Sequence, residues 1–564
     1  MSLFSSIQLG RQSLSVAEIG IRVAGNNIAN ADTPGYIREE AVLAPGQTVE
    51  AGKVRVGTGV RVAAVVQQID RLLESRFRQA TSDLQASQTR DQVYRQLEVF
   101  LRELTDEDLS TSFTRFFSAI QNALNQPENR ALRKLAALEG QRVADDLGRL
   151  NQQVQQTRSD LNDQVAVAAG DINRLLQSIV DLNGRIVRAE LGGAIDSDAG
   201  ALRSQRYEAL RQLAELLPVQ VAEEKNGAVN VFYRGELLVF EGTAHPVKVE
   251  YAEDDRGLQV ATVKVEQTGV TIAPETGKLA GLLDARDQIL DGFLDDLDAF
   301  TKRFAFEFNQ LHSSGQGLTG FQDVTSARQV ESSTQPLDAV GLDDTPVNGS
   351  FQFIVRNRDS GIESRQTIHV TLNGFYDDTT LTSLAAAIDG VDGVSSSVVD
   401  GRLKITADDG ATEFAFADDT SGVLAALGIN HFFEGSTAGD LRVAAEVLDA
   451  PERLALSRGG VGRDSRNGER LAALFSTPGA DGAPSLETEY ATLVNDVSQA
   501  SFVSKSVTDG LQTFQQTLEA DRLARSGVNL DEEAVRLITL QRMYQASARF
   551  ITTVSDLLET LVQL

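Results

Sequence analysis

The sequence predicts a mainly α-helical fold with β insertions, arranged as an elongated multi-domain rod. Three observations predict it. Heptad seams of equal length lie at the two ends of the 564-residue chain, and a longer seam runs through residues 143–189. Strand-like alternation is found over residues 36–66, in a small β-hairpin region near 218–275 and in a β-rich region over 321–445. Long helices therefore form the frame, and the strands are inserted into it.

The first helix is predicted from a seam in which steps of four and three residues alternate. Large residues alternate along it with glycine or alanine, so a partner helix can approach closely. The seam consists of Leu3, Ile7, Gly10, Leu14, Ala17, Ile21, Ala24 and Ile28. A second apolar line, Leu9, Val16, Ile19 and Val23, lies on the far side. One partner cannot cover both lines, so we expect another copy of the protein to cover the second.

The last helix carries a seam of the same length, ~40 Å at 1.5 Å per residue. It consists of Leu537, Leu540, Tyr544, Ser547, Ile551, Val554, Leu558 and Leu561. We predict that the two helices pair as a coiled coil and form an assembly interface. The interface residues are Leu3, Ile7, Leu14, Ile21, Ile28, Leu537, Leu540, Tyr544, Ile551, Val554, Leu558 and Leu561. The alternative is a terminal helical hairpin that closes off a globular core.

In the first half of the chain between the two terminal helices, strand-like and helical sequence patterns alternate. Residues 36–66 alternate and turn, which predicts a β-hairpin or extended excursion from the seam. Helical periodicity predicts helices over 67–104, 110–124 and 128–190. The longest of these contains one extra step of four residues, a stutter that locally unwinds a supercoil. Leu191-Gly192-Gly193 is predicted to end it.

The second half of this region, up to the last helix, also contains predicted helices. Helices are predicted over 202–217 and 278–312, with strands between them. The β-rich region contains a short helix near 382–388. After another short helix near 469–475, a long helix over 485–524 is predicted to run antiparallel along the helix 128–190.

Three domains follow from this organisation. Residues 1–66 and 525–564 form the terminal coiled-coil assembly domain. Residues 67–320 and 446–524 form a long-helix bundle that includes the small β-hairpin region, and residues 321–445 form an inserted, outward-facing β-rich domain.

Composition excludes several function classes. With 80 acidic and 52 basic residues the net charge is −28, which makes nucleic acid or an anionic membrane an unsuitable partner. The chain has no cysteine, so it cannot rely on disulfides. No secretory signal and no apolar run of ~18 residues is present, so no membrane insertion is expected.

No chemistry-bearing motif emerges from the sequence. The four histidines, His245, His312, His369 and His431, lie far apart and none has metal-ligand spacing. His312 ends a predicted helix and is interpreted as a C-terminal cap or dipole partner. Paired aspartates such as Asp343-Asp344 lack the alternating spacing of a calcium loop. We therefore predict no catalytic, cofactor-binding or metal site, and no enzyme activity.

The residues that follow the first seam form a distinctive sequence motif. Asn26-Asn27-Ile28-Ala29-Asn30-Ala31-Asp32-Thr33-Pro34-Gly35-Tyr36 acts as a helix stop, because Pro34 disfavours helical Thr33 and Gly35 frees the turn. The string closely resembles the signature of the bacterial flagellar axial family of rod, hook and hook-associated proteins. The motif residues are Asn26, Asn27, Asn30, Thr33, Pro34, Gly35 and Tyr36.

Two further stretches extend the resemblance. Ser526 to Glu533, with Asn529 as a predicted N-cap, and Tyr544-Gln545-Ala546-Ser547-Ala548 look like the C-terminal end of the same family. Leu279 to Asp287 and Phe308-Asn309-Gln310-Leu311-His312 are similar to the middle of its hook-associated members.

The resemblance implies a structural adaptor, assembled as a ring at the distal end of the hook, where hook and filament join. The implied partners are the protein itself, the hook protein, a second hook–filament junction protein and an export chaperone on the C-terminal helix. It also implies export through the flagellar type III channel and terminal helices that stay frayed until neighbours cover them. Two alternatives remain open: a rod or hook subunit, and a secreted coiled-coil adhesin or effector.

Overall fold

Long helices dominate the computed structural model, which describes residues 3–51, 54–101, 108–191, 196–479 and 482–563. The longest, α4, has 61 residues and is ~90 Å long. The helices are α1 Leu3–Ala29, α2 Arg71–Leu101, α3 Leu109–Asn125, α4 Arg130–Glu190, α5 Gly200–Leu216, α6 Lys278–Asp284, α7 Asp291–Ser313, α8 Leu381–Asp389, α9 Val423–Leu427, α10 Ala445–Asp449, α11 Arg466–Ala473, α12 Leu486–Ser526 and α13 Leu530–Gln563. A π-helical turn, Ala285–Leu290, joins α6 to α7.

The strands form small sheets between the helices. They are β1 Glu39–Pro45, β2 Thr48–Ala51, β3 Val54–Gly57, β4 Val60–Gln67, β5 Asp196–Ser197, β6 Gln220–Glu223, β7 Val229–Tyr233, β8 Glu236–Phe240, β9 Thr243–Ala244, β10 Val247–Glu253, β11 Gln259–Val265, β12 Asp323–Thr325, β13 Gly349–Asn357, β14 Glu363–Val370, β15 Val394–Val399, β16 Arg402–Ala407, β17 Thr412–Ala417, β18 Phe433–Glu434 and β19 Arg442–Val443. Antiparallel pairing predominates, as in β1 with β4, β10 with β11 and β13 with β14.

The chain divides into two compact units. The first unit comprises residues 1–93, 159–286 and 502–564, and the second comprises residues 94–158 and 287–501. Each unit therefore contains segments that are distant in sequence.

Asparagine side chains of α4 hold the strands of the first unit. The amide of Asn183 donates to the carbonyl of Val229 (2.8 Å) and accepts from its N–H (3.1 Å). Asn173 binds both backbone groups of Val247 in the same way, at 2.8 Å each. Asn162 donates to the carbonyl of Gln259 and accepts from the N–H of Ala261, which places β7, β10 and β11 against one helix. Because α4 already satisfies its own backbone, only side chains can make these bonds.

In the same unit α12 packs antiparallel along α2. Thr508 is hydrogen-bonded to Ser87 (2.7 Å), and Leu518 packs with Phe77 in one apolar cluster. The guanidinium of Arg522 lies over the Phe77 ring, 5.0 Å from its centroid. In this unit the described contacts of α12 are thus with α2, and its predicted pairing with the helix 128–190 stays a prediction.

Phenylalanines fill the helical core of the second unit. Phe300, Phe304 and Phe308 follow one face of α7 at four-residue spacing, and all three are buried. Phe113 of α3 meets the Phe304 ring edge-on at 5.1 Å. Edge-to-face contacts of this kind add stability beyond the area they bury.

The inserted β-rich region has the predicted alternation. Phe351, Phe353 and Val355 of β13 point into one core, where Phe353 meets Phe416 of β17 edge-on at 5.4 Å. The opposite face of β13 is also covered, since Ile354 packs with Val461. Val461 therefore covers the second face of this sheet at β13 and β17, while Ser364 to Thr367 of β14 stay exposed.

The predicted fold class, mainly α with β insertions and long helices, is confirmed. The helices that were predicted begin and end within a few residues of their predicted bounds, whereas α9 and α10 were not predicted. Residues 102–107, with the predicted end of the helix 67–104, lie outside the described residues, as do Gly192 and Gly193. The division into three domains stays a prediction. Across the described residues, no helix combines the length and apolar character needed to span a bilayer.

The interpretation of His312 as a cap of its own helix is wrong. Its ring is fully buried, with Nδ1 2.8 Å from the carbonyl of Asn430 and Nε2 accepting from the N–H of Ala455 (3.0 Å). The side chain of Asn430 instead caps α7, because it donates to the carbonyls of His312 and Gly315 (3.3 and 3.0 Å). Burial lowers the pKa of His312 from 6.5 to about 4, so the ring is neutral.

The buried His312 makes the stability of the chain depend on pH. The unfolded chain binds a proton at this ring below pH 6.5 while the folded protein binds it only near pH 4, so stability falls as pH is lowered through this window. We expect the urea midpoint to drop less steeply between pH 7 and 5 in His312→Gln than in the parent. His369→Gln, at an exposed position of β14, should keep the parent slope. Equal slopes for all three proteins would contradict this assignment.

Candidate assembly site at the paired terminal helices

Helices α1 and α13 pack against each other in antiparallel orientation. A Cβ atom on Gly10 would lie 2.6 Å from Ile551 Cγ1, and one on Gly20 would lie 2.9 Å from the Leu540 methyl groups. Between them, the hydroxyls of Ser13 and Ser547 are hydrogen-bonded at 2.8 Å. Glycine permits this approach because any side chain at either position would overlap its neighbour.

The predicted seam residues face this contact. In α1, Ile7, Leu14, Ile21 and Ile28 are partly buried, and the small residues Gly10, Ala17 and Ala24 are fully buried.

The C-terminal seam also faces α1, with one exception. Leu537, Leu540, Ile551 and Leu558 are partly buried, and Ser547 and Val554 are buried. Tyr544 is 39% exposed and lies at the edge of the contact. The side chains of Leu3 and Leu561 lie outside the described part of the chain. The structure thus brings the described seam residues together, and their role in assembly stays a prediction.

Sequence reasoning missed Gly20 and Ser13, which make two of the closest contacts. Both belong to a row of small residues on α1, Gly10, Ser13, Ala17, Gly20 and Ala24, whose steps alternate between three and four. This row of small residues is the signal that could have identified them.

The second apolar line of α1 is covered by the chain itself. Val16 and Val23 are only 4% and 9% exposed, and β1 and β4 pack on this helix. The expectation that another copy covers this line is therefore wrong for these two residues, because the hairpin that follows the helix folds back on it. Leu9 alone remains exposed, at 38%.

Asn27 holds the chain reversal after α1. It is fully buried, and its amide donates to the carbonyl of Glu39 (2.9 Å). Its Oδ1 accepts from the Glu39 N–H and from the Tyr36 hydroxyl, both at 3.0 Å. The motif thus ties the helix to the first residue of β1.

The other motif residues shape or line the turn. Asn30 donates to the carbonyl of Asn26 (2.9 Å), and Gly35 has a φ of +75°, which favours glycine. Asn26, Thr33 and Pro34 are exposed. The Thr33 hydroxyl donates to Asn30 Oδ1 (3.4 Å), so Thr33 contributes to the turn.

Ion pairs link the start of β1 to α13. Arg38 donates to the buried carboxylate of Glu533 (2.7 Å), and its N–H donates to the carbonyl of Ser526 (2.9 Å). Arg536 of α13 contacts Glu40 at 2.8 Å. At the N-terminus of α13, Asn529 Oδ1 accepts from the N–H groups of the next turn, as predicted for an N-cap.

Burial perturbs the acidic groups of this turn. It raises the pKa of Tyr36, with a further contribution from the nearby Glu39 and Glu533 carboxylates. It also raises the pKa of Glu39, to which Asp198 adds. These shifts accompany a structural hydrogen-bond network, since Tyr36 and Glu39 both bind Asn27.

A largely apolar groove of about 660 Å³ runs beside the helix pair. Its lining consists of Leu9, Gly10, Ser13, Gly59, Val60, Met543, Ala546, Ser547 and Phe550. Phe4, Phe550 and Leu557 of the two helices are also exposed, at 75%, 42% and 53%. Exposed apolar side chains gathered around a groove are typical of a protein interaction site.

Among the residues that the structure describes, no three histidine, cysteine, aspartate or glutamate side chains lie close enough together to hold a metal ion. The paired terminal helices and the groove beside them can bind another helix through apolar packing.

The glycine contact can be tested with a matched pair of variants in α1. Gly20→Leu would overlap Leu540 and should destabilise the helix pair by about 1–3 kcal/mol. In Gly25→Leu the same side chain replaces a glycine whose Cβ would meet no atom within 4 Å, so the pair should be retained. Hydrogen exchange of the α1 and α13 amides measures both. Equal exchange in the two variants would argue against close packing at Gly20.

The two adjacent asparagines of the motif should differ in their effect on stability. Asn27→Ala leaves buried partners unpaired and should cost about 1–3 kcal/mol, whereas Asn26→Ala, at an exposed position, should cost little. Protease susceptibility of the ends and denaturant midpoints measure the difference. Similar losses in both variants would contradict the role assigned to Asn27.

Three family models match the chain in sequence order. A flagella basal body rod protein model matches residues 10–36, the flagellar hook-associated protein FlgK helical domain matches residues 94–325, and a flagellar basal body rod FlgEFG protein C-terminal model matches residues 520–564. The two terminal models cover the paired helices.

Full-length relatives carry a common description, flagellar hook-associated protein 1. The relative from Salmonella typhimurium is 25% identical over 579 residues, and the one from Escherichia coli K12 is 25% identical over 581, each covering 99% of this chain and 100% of the relative. The Bacillus subtilis relative is 23% identical over 580 residues, 100% of this chain and 98% of its own length.

A solved structure agrees with the fold. The flagellar hook junction protein FlgK from Burkholderia pseudomallei matches with a TM-score of 0.50 and 16% identity, covering 80% of this chain and 100% of that one. The family models and these relatives thus show that the chain is similar to flagellar hook-associated proteins from end to end.

Proposed function

We propose that this chain is a structural, non-enzymatic adaptor of the bacterial flagellum, assembling with copies of itself at the distal end of the hook to form the hook–filament junction. The observation that carries the proposal is the closed α1–α13 pair, which leaves an apolar groove beside it in a chain whose relatives are hook-associated proteins along their whole length.

We expect assembly to bury apolar side chains of α1 and α13 that a single copy leaves exposed. The contact between α1 and α13 buries the small residues of one helix under the branched residues of the other, but Phe4, Phe550 and Leu557 stay in water. Covering these side chains is favourable by roughly 25 cal/mol per Å² of apolar area. We therefore expect the ends to be frayed in a dilute monomer and ordered when neighbouring copies occupy the groove.

The ion pairs at β1 give this joint a defined register. Arg38 and Arg536 bind Glu533 and Glu40, so a shift of α13 by one turn would separate both pairs. A buried carboxylate without its partner is costly. The polar contacts therefore select one register, and the apolar contacts supply the stability.

The proposed partners follow from the family. They are the hook protein, a second hook–filament junction protein, and an export chaperone that covers α13 before assembly. The exposed apolar residues of α13 are what such a chaperone would mask. Export through the flagellar type III channel suits a cysteine-free chain, since no disulfide has to be broken for unfolded passage.

Two alternatives are less well supported. A rod or hook subunit would share the two terminal models, but the FlgK helical-domain model accounts for residues 94–325 as well. A deletion strain that builds a complete hook and attaches no filament would separate the two. A secreted coiled-coil adhesin or effector would be recovered from the culture fluid and not from purified hook–basal structures.

Charge in the seam should abolish incorporation into the flagellum. Ile21→Asp or Ile551→Asp places a carboxylate in the partly buried α1–α13 contact, where it is only partly hydrated. We expect no detectable protein in purified hook structures, while circular dichroism of the remaining domains stays nearly unchanged.

Ser15→Asp is the matched control, because Ser15 lies on the exposed side of α1. It should incorporate like the parent. Normal incorporation of both seam variants would show that the pairing is not required for assembly.

A further inference from the structure

Sulfur is rare in this chain, and it lies in the groove beside the terminal helix pair. The sequence contains no cysteine, no tryptophan and two methionines, Met1 and Met543. Met543 is the one sulfur-bearing residue in the part of the chain that the structure describes. It belongs to α13, lines the apolar groove and is half-buried, so its sulfur can meet a small oxidant. The described residue most open to oxidation therefore lies at the proposed assembly site.

The neighbours of Met543 in the groove are apolar. Met543, Ala546 and Phe550 follow steps of three and four residues, so they share one side of α13. Leu9 of α1 and Val60 of β4 lie across the groove from this side. An unbranched thioether suits such a surface, because it is apolar and adapts to irregular gaps.

A polar group in this groove would find few partners. None of the lining side chains carries a charge, and the two that are polar, Ser13 and Ser547, are hydrogen-bonded to each other. A sulfoxide is strongly polar, and it keeps its hydration only while the groove is open to water. If a neighbouring copy covers the groove with apolar side chains, that water is lost and no donor replaces it. Oxidation of Met543 therefore opposes packing against a neighbour and leaves the fold of the single chain intact.

We propose that Met543 is an oxidation site that controls occupancy of the groove, with a peroxide as the oxidant. A lone pair of the thioether sulfur attacks one peroxide oxygen, and the S–O bond forms as the O–O bond breaks. Proton transfer to the departing oxygen releases water, so the sulfur loses two electrons and the peroxide gains them. Methionine sulfoxide reductases, one for each sulfoxide epimer, return the product to the thioether.

This inference rests on the proposed function, because it concerns the regulation of the same groove. Hydrogen peroxide is the probe: the purified full-length chain is treated with it and added to hook structures from a strain that lacks the chain. Since cysteine and tryptophan are absent, methionine is the expected site of reaction, and peptide mass spectrometry measures the added oxygen at Met543. We expect the oxidised chain to bind hooks about tenfold less than the untreated chain, and the reductases to restore binding.

Met543→Leu is the matched variant, since leucine is apolar, of similar volume and free of sulfur. Its binding to hooks after peroxide should equal its own binding before peroxide, because only Met1 is left to be oxidised. Equal peroxide sensitivity of Met543→Leu and the parent, or full binding of a parent chain oxidised at Met543, would overturn the inference. Loss of helical circular dichroism on oxidation would also overturn it, because the effect would then be on folding.

Assembly should in turn protect Met543. In hooks that already contain the chain, a neighbouring copy covers the groove, so peroxide should convert Met543 to the sulfoxide several-fold more slowly than in the free chain. Equal rates in free and assembled chains would contradict control of occupancy by this residue. Failure of the untreated parent chain to bind hooks would instead count against the proposed function.

Discussion

The close packing of α1 against α13 is the constraint on which the rest of the structure depends. It joins the two ends of a 564-residue chain at contacts where Ile551 and Leu540 leave room only for glycine. Loop closure over that length is entropically costly, so the contact has to be both apolar and well fitted. Once it is formed, β1 and β4 cover Val16 and Val23 on the far side of α1, and an apolar groove stays open beside the pair.

Buried asparagines provide the second organising principle. Asn27, Asn162, Asn173 and Asn183 each satisfy a donor and an acceptor of an extended segment next to a helix. A helix has no free backbone groups in its middle, so a planar amide is the simplest way to attach a strand to it. The strands are thereby held at fixed places along rigid helices. This suits a protein whose proposed work is spacing and joining, and the titratable groups it buries, such as His312, serve the fold.

Sequence periodicity was sufficient for the helices and for the seam of the candidate site, because both depend on local spacing. Periodicity was not sufficient to predict which elements pack against each other. Both α2 and α4 have apolar faces, and no local signal identified α2 as a partner of α12. Val16 and Val23 are buried by the hairpin of β1 and β4, and the sequence pattern of this hairpin does not indicate that it folds back onto α1. Gly20 was missed because the seam includes only one residue per helical turn. Close packing also involves Gly20, the small residue next to the seam residue Ile21.

An engineered disulfide tests the central claim most directly. The hydroxyls of Ser13 and Ser547 are in hydrogen-bond contact, and the chain has no cysteine of its own. In purified hook structures, Ser13→Cys/Ser547→Cys should close within one chain under mild oxidation and migrate as a cyclic monomer on a non-reducing gel. Ser6→Cys/Ser547→Cys, two helical turns out of register, should remain open. Cross-linked dimers, or closure of the second pair in place of the first, would contradict antiparallel pairing of the two ends of one molecule.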